Sequence, residues 1–153
     1  GKERQSHVEL AVRLLAFRNS QYKNGLDLHE YLDDALVTMA QDPAFDRPGE
    51  QSVFERTFDY LNESMGASAF KRWDGQAFSG KFLMSVYEVV ALGVSRNIDE
   101  IGAMAPDVRN EFIRQRCRDL WGNAVFTANS GAGVRGTTRL AHLLPMAADY
   151  FQP

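Results

Sequence analysis

The residues best suited to chemistry lie in one glycine-rich stretch near the end of the chain. Residues 127–138 read TANSGAGVRGTT and are followed by an arginine. Glycines leave backbone N–H groups accessible, and the stretch leads into a predicted helix, so this combination favours binding of a phosphate or carboxylate group. The candidate phosphate-binding residues are Gly131, Gly133, Arg135, Thr137, Thr138 and Arg139. The alternative interpretation is a flexible interhelical loop in which Thr137 or Thr138 caps the following helix.

Two nucleotide-binding fingerprints resemble this stretch, and neither fits it. Residues 131–136 match G-x-G-x-x-G, but that fingerprint must follow a strand of a βαβ unit, whereas a helix is predicted here. A P-loop needs a lysine before its hydroxyl residue, and Gly136 is followed directly by Thr137. The stretch therefore predicts an anion site without a dinucleotide or P-loop fold.

Other polar residues form no recognisable catalytic or metal-binding pattern. His7, His29 and His142 lack ligand spacing, and Cys117 stands alone on an apolar helical stripe. We therefore expect no metal site, no cofactor and no catalytic residue. The Lys71-Arg72-Trp73 stretch joins charge to an aromatic ring, as in single-strand binders, although a tryptophan beside a turn is also typical of a core edge.

Glu88 is the one charged residue between Phe82 and Ser95, a segment that reads FLMSVYEVVALGVS. An ionised carboxylate in such surroundings needs a partner. We expect Arg139 to be that partner, because the first turn of the closing helix should pack beside this segment. Glu88 is thus predicted to be a structural buried charge.

The segment around Glu88 predicts the architecture of the whole chain. A helix over residues 80–96, with Ser79 as its N-cap, would be apolar on every face and belongs at the centre of a bundle. Residues 1–153 are therefore predicted to form a single all-α domain of about six helices, without a sheet. Val8, Leu36, Val108 and Trp121 are assigned to inward-facing stripes. Arg109 and Arg118 are expected mostly off the stripe of the helix that begins at Pro106. Helices are also expected at residues 6–18, from the N-cap Asp27 to the Asp42-Pro43 stop, in the segment that ends at Gly66, after Pro106 and at 139–150, with a helical connector at 97–104. Residues 67–73 have room for one more helical turn before the turn dipeptide Asp74-Gly75.

Composition limits the classes of function. The 153 residues carry a net charge of −3 and give a pI of about 5.6, which does not fit a strongly basic nucleic-acid binder. The single cysteine fits a reducing compartment, the charged start does not fit a signal peptide, and the central apolar segment is too short to span a bilayer. We expect a cytoplasmic protein without membrane contact. Because the chain starts Gly-Lys in a helical pattern, we also expect it to be the C-terminal part of a longer protein.

Several stretches carry a resemblance to a known family: VRLLAFRNSQY with LDLHEYLDDAL, FERTFDYLNESMGASAFKRW, KFLMSVYEVVAL, and RDLWGNAVF with GTTRLAHL. In their order along the chain they resemble the C-terminal helical part of GmrSD-type bacterial defence proteins, which carry the ParB/sulfiredoxin-like domain of unknown function 262. In that family an Asp-Gly-Gln-Gln-Arg motif for nucleotide hydrolysis and DNA cleavage lies in the N-terminal domain. Here Asp74-Gly75-Gln76 is followed by Ala77-Phe78, so no catalytic role is carried over.

The resemblance implies a non-catalytic scaffold or regulatory domain of a modification-dependent restriction (antiphage) protein. Its expected partner is an upstream ParB/sulfiredoxin-like domain of the same protein, which would make the parent a nucleotide-dependent endonuclease, and DNA is a further candidate partner. The alternative is a helical module that binds phosphate or nucleic acid through the glycine-rich loop at 130–139.

Overall fold

The computed structural model describes residues 2–153, with side chains from residue 6 onward. These residues form an all-α fold with one short two-stranded hairpin and one continuous apolar core. The hairpin strands are β1 (Arg72–Trp73) and β2 (Phe78–Ser79). The helices are α1 (Lys2–Asn19), α2 (Leu28–Gln41), α3 (Arg47–Met65), α4 (Met84–Arg96), α5 (Ile98–Gly102), α6 (Pro106–Asp119), α7 (Ala124–Asn129) and α8 (Gly136–Tyr150).

Helix α4 is the central helix that the sequence predicts. Every residue from Ser85 to Ser95 is buried, so the helix has no solvent-facing side. Its start differs from the prediction, because α4 begins at Met84 and Ser79 is not its N-cap. Ser79 instead pairs with Arg72 in the hairpin, and Gly80 follows with φ of +90°, a conformation that favours glycine. The chain therefore turns before it enters the helix.

Helix α8 packs closely along α4 because Gly93 has no side chain. A Cβ at Gly93 would overlap the Phe151 ring and would lie 2.7 Å from the carbonyl oxygen of Ala147. The Asn97 amide joins the same two helices, since its Nδ2 donates to the carbonyl oxygens of Gly93 (2.8 Å) and Ala148 (2.9 Å). The contact between these helices leaves no room for an added methyl group.

Helices α1 and α2 are fixed to each other and to α4 by polar side chains that reach backbone carbonyls. Tyr31 of α2 donates its hydroxyl to the carbonyl of Ala16 at 2.9 Å, and Arg96 of α4 donates to the carbonyl of Phe17 at 3.2 Å. Tyr87 of α4 donates to the carbonyl of Leu10 at 2.6 Å. Asp27 accepts from the backbone N–H of Glu30, which confirms the predicted N-cap of α2.

The expectation of a structure without a sheet is wrong at the hairpin. Arg72 pairs with Ser79 and Trp73 with Phe78 around the predicted Asp74-Gly75 turn. The Trp73 and Phe78 rings lie 4.8 Å apart, and Asp74 accepts backbone N–H groups within the turn. Cross-strand aromatic contact and turn chemistry therefore favour two short strands, and β1 occupies the end of the 67–73 stretch that was expected to have room for a helical turn.

The number of helices is eight within residues 2–153, whereas about six are predicted. The connector at 97–104 contains α5 as expected, but α7 occupies residues that the sequence analysis places partly in the glycine-rich loop. Asn123 explains this helix, because its side chain accepts from the backbone N–H of Phe126, and Phe126 is buried beneath it.

Three residues assigned to inward stripes are exposed instead: Val8 at 58%, Leu36 at 38% and Val108 at 59% of their surface. Conversely, Arg109 is expected off the stripe of α6 and is buried. Its guanidinium lies 4.1 Å from the centre of the Tyr60 ring, and this cation–π contact stabilises the buried charge.

Between residues 2 and 153, none of the helices combines the length and the apolar character that a bilayer crossing requires.

Candidate functional site

The glycine-rich loop is shorter than predicted, because helices extend into it from both sides. Thr127 belongs to α7, and α8 begins at Gly136, so Thr137 and Thr138 lie in its first turn and neither is the N-cap. Arg135 occupies the N-cap position, without a side-chain hydrogen bond to the helix. The remaining loop is closed by a hydrogen bond from the Val134 N–H to the Gly131 carbonyl at 3.0 Å.

The six predicted phosphate-binding residues do not converge. Gly131, Gly133 and Arg135 are exposed, and a Cβ on either glycine would meet open space. Arg139 turns inward and forms two hydrogen bonds with Glu88, from Nε to Oε1 at 2.7 Å and from Nη2 to Oε2 at 3.2 Å. Arg135 is therefore the one cation left at the start of α8 among the six, and phosphate binding there stays a prediction.

Glu88 and Arg139 form the pair that the sequence analysis expects, and Glu88 is only 1% exposed. Burial raises the pKa of the Glu88 carboxyl, while the Arg139 hydrogen bonds and the Arg139 and Arg13 charges act in the opposite direction. Arg13 is itself buried and pairs with Glu9 at 3.1 Å, although its Nε and Nη1 have no hydrogen-bond partner. These charges tie α1, α4 and α8 together and serve the fold.

A second candidate region is an apolar groove of about 410 Å³ between α1, α2 and α3. The charged rim is ordered, because Arg18 donates to both carboxylate oxygens of Glu50 at 2.9 and 3.0 Å. This hydrogen-bonded contact lowers the pKa of Glu50. The groove is lined by Ala11, Leu15, Leu36, Met39, Ala40, Phe45, Arg47, Glu50, Gln51 and Phe54.

A third candidate is a cavity of about 460 Å³ between the hairpin and the end of α6. Two arginines lie over its tryptophans: Arg72 Cζ is 4.9 Å from the centre of the Trp121 ring, and Arg118 Cζ is 5.6 Å from that of Trp73. The cavity is lined by Trp73, Gly75, Arg118, Asp119, Trp121, Gly122, Asn123 and Tyr150.

No sequence signal joins Trp73 to Arg118. They lie 45 positions apart, and their contact depends on the hairpin, whose Asp74-Gly75 turn was the one local signal for it. Trp121 was assigned to the apolar stripe of α6, yet it lies in a 3₁₀ turn, Leu120–Gly122, that follows this helix. Helical periodicity therefore could not place it beside the hairpin.

Cys117 is fully enclosed by the core, and burial raises the pKa of its thiol to about 12. The side chain is a neutral core residue at ordinary pH. Among the residues that the structure describes, no group of three or more His, Cys, Asp or Glu side chains is arranged to hold a metal ion.

No protein-family model matches this chain, and comparisons with curated proteins and with solved structures give no match. The resemblance to GmrSD-type proteins therefore continues to depend on the sequence stretches that suggested it.

Proposed function

We propose that this chain is a non-catalytic helical scaffold domain of a cytoplasmic GmrSD-type defence protein, and that the upstream domain of that protein docks in the groove between α1, α2 and α3. The proposal combines the sequence resemblance with one structural observation, the open apolar groove. Contiguous apolar surface rimmed by polar residues is typical of protein–protein contact sites.

The groove suits a docked element because its floor is apolar and its rim is charged. Leu36 remains 38% exposed there, and Phe45 and Phe54 are partly buried. Covering such side chains stabilises a contact by about 25 cal/mol for each Å² of apolar surface removed from water. The expected occupant is an apolar side chain or turn of the upstream ParB/sulfiredoxin-like domain, with polar neighbours that face the rim at Arg47 and Gln51.

Hydrogen bonds behind the groove connect its α1 wall to the central helix α4. The α1 wall is attached to α4 through the Tyr87 hydroxyl on the Leu10 carbonyl, and Arg96 of α4 binds the carbonyls at the end of α1. A partner seated against α1 would thus meet a wall that is held by the central helix. These contacts support the proposal that this chain holds or regulates an upstream nuclease domain.

The test uses the full-length parent protein with Leu36→Glu, which places a charge in the groove. Val108→Glu is the matched control, since Val108 is exposed on α6 outside the groove. We expect Leu36→Glu to change the nucleotide-hydrolysis or DNA-cleavage rate at least several-fold, and Val108→Glu to leave both rates unchanged. Equal rates in the parent and both variants would contradict the proposal. So would nucleotide or DNA turnover by the present chain alone that a point mutation within it abolishes.

The alternative function, binding of phosphate or nucleic acid through residues 130–139, keeps one favourable observation. Arg135 is exposed at the N-cap position of α8, and its side chain does not cap the first N–H groups of that helix. Arg139 is paired with Glu88 and does not face the loop, which weakens this alternative relative to the scaffold proposal.

A further inference from the structure

Both tryptophans of the chain line the same cavity, although they are 48 positions apart. The hairpin brings Trp73 there, and the 3₁₀ turn after α6 brings Trp121. We propose that this cavity binds an unpaired base of a single-stranded nucleic acid on the indole rings, with the neighbouring phosphates bound by Arg72 and Arg118. The site is distinct from the groove of the proposed function and does not depend on it.

The arginines and indoles are paired crosswise. Each guanidinium lies over the ring supplied by the other segment, Arg72 over Trp121 and Arg118 over Trp73. A guanidinium covers the ring face on which it lies, so a bound base would replace it there or stack on its outer face, and the guanidinium donors would then be free for phosphate oxygens. Aromatic rings beside cations are the usual means of binding single strands without reading their sequence.

Arg72 and Arg118 can leave their present contacts with little loss of stability. Arg118 donates to Glu111 and Gln115 at 3.2 Å in each case, on the surface of α6, and exposed pairs of this kind stabilise little. Within the described part of the chain, Arg72 has no carboxylate at salt-bridge distance. Both arginines can therefore exchange their present contacts for phosphate.

The size of the cavity also fits the proposed ligand. The cavity volume of about 460 Å³ lies within the range of about 300–1,000 Å³ typical of small-ligand sites, so one nucleotide fits.

Charge favours a single strand over a duplex as the ligand. The chain has a net charge of −3, and the cavity is lined by Arg118 and Asp119 with Arg72 beside it over Trp121, so it lacks the basic surface that follows a duplex backbone. Indole faces reach bases that are not already stacked in a helix. Unpaired bases are therefore the nucleic-acid groups that this cavity fits.

The experiment uses intrinsic fluorescence, because Trp73 and Trp121 are the two tryptophans of the chain and the signal reports this cavity alone. The probe is a ten-residue oligothymidylate, titrated at low salt, with the anisotropy of a labelled copy measured in parallel. We expect saturable quenching. We also expect at least tenfold weaker binding by Trp73→Ala and by Arg118→Ala, with intermediate binding by Trp73→Phe. The control is Arg56→Ala, which removes an exposed arginine paired with Asp99 at 3.4 Å and should bind like the unchanged chain.

Thermal melts of each variant confirm that it is folded, and Trp73→Phe keeps the test valid if Trp73→Ala does not fold. Absence of saturable quenching would overturn the proposal. It would also be overturned if inorganic polyphosphate or a duplex of equal length competed as well as the single strand. Equally tight binding of the oligothymidylate by Trp73→Phe, Arg118→Ala and Arg56→Ala would overturn it as well. Because none of these measurements involves the groove, they leave the scaffold proposal untouched in either outcome.

Discussion

The central helix α4 has two very different neighbourhoods. Toward α8 the contact is sealed, since Gly93 lies against Phe151 and the Glu88 carboxylate is enclosed by Arg139. Toward α1, α2 and α3 the bundle leaves an apolar groove with a side chain such as Leu36 partly in water. Side chains that close the bundle already have their contacts within the fold, whereas incomplete packing on the other side leaves apolar surface that a partner can cover.

Charge is distributed in the same way. On the sealed side the Glu88 carboxylate is in the interior, and its partner Arg139 is one of the two arginines among the predicted phosphate-binding residues. On the groove side Glu50 and Arg18 pair at the rim and leave the floor apolar. Substitutions on the sealed side should therefore affect the fold, whereas substitutions at exposed surfaces should not.

The largest expected effect comes from Arg139→Ala. It leaves the Glu88 carboxylate buried and unpaired, and breaking a buried pair from one side costs about 3–5 kcal/mol of unfolding free energy. Glu88→Gln should cost less, because the Arg139 side chain is 19% exposed and can reach water. Urea denaturation checks both values. The control is Arg135→Ala, which should stay within about 0.5 kcal/mol of the unchanged chain; equal losses at the two arginines would contradict a structural role for the pair.

The pH dependence of Arg139→Ala is the second expected effect. Burial already raises the pKa of Glu88 above its ordinary value, and removal of Arg139 raises it further. Between the ordinary and the raised pKa the folded state binds more protons, so stability falls as pH rises through this window and recovers as pH is lowered. The variant should therefore regain stability relative to the unchanged chain as the pH is lowered from neutral into the acidic range. Melting curves with a pH-independent difference would show that Glu88 is not the group responsible.

Gly93→Ala should have the third effect. The added methyl group would overlap Phe151 and approach the Ala147 carbonyl oxygen. Overpacking costs about 1–3 kcal/mol, and the better helix propensity of alanine offsets up to about 1 kcal/mol of it. We expect net destabilisation of about 1 kcal/mol by denaturant titration. Gly131→Ala, where the Cβ meets open space, is the matched control; if Gly93→Ala proves as stable as this control, α8 is not sealed against α4.

The smallest expected effect belongs to the start of α8. If Arg135 binds anions there, sulfate at a concentration equal to its dissociation constant should stabilise the chain by about 0.4 kcal/mol. Arg135→Ala should lose this gain while keeping its melting temperature without sulfate, because the Arg135 side chain is exposed. Equal sulfate effects in both proteins would reduce the loop to a connector.

The sequence predicts the core of this fold well because the relevant signals are local. The continuous apolar run predicts the buried helix α4, Asp27 predicts the start of α2, and the lone charge of Glu88 predicts a buried ion pair. The groove and the tryptophan cavity were not predicted, because they arise where packing is incomplete or where distant segments meet. Leu36 has the periodicity of a buried residue, and no nearby residue indicates that the space beside it stays open. Trp73 and Trp121 line one cavity because a hairpin with two residues in each strand brings Trp73 there.

The scaffold proposal is tested most directly by amide hydrogen exchange, measured in the parent protein and in this chain alone. We predict that α2 and the first half of α3 exchange more slowly in the parent, because a docked domain covers the groove, while α8 exchanges equally in both. Leu36→Glu in the parent should return the exchange of α2 to that of the isolated chain. Identical exchange of α2 and α3 in the parent and in the isolated chain would contradict the account.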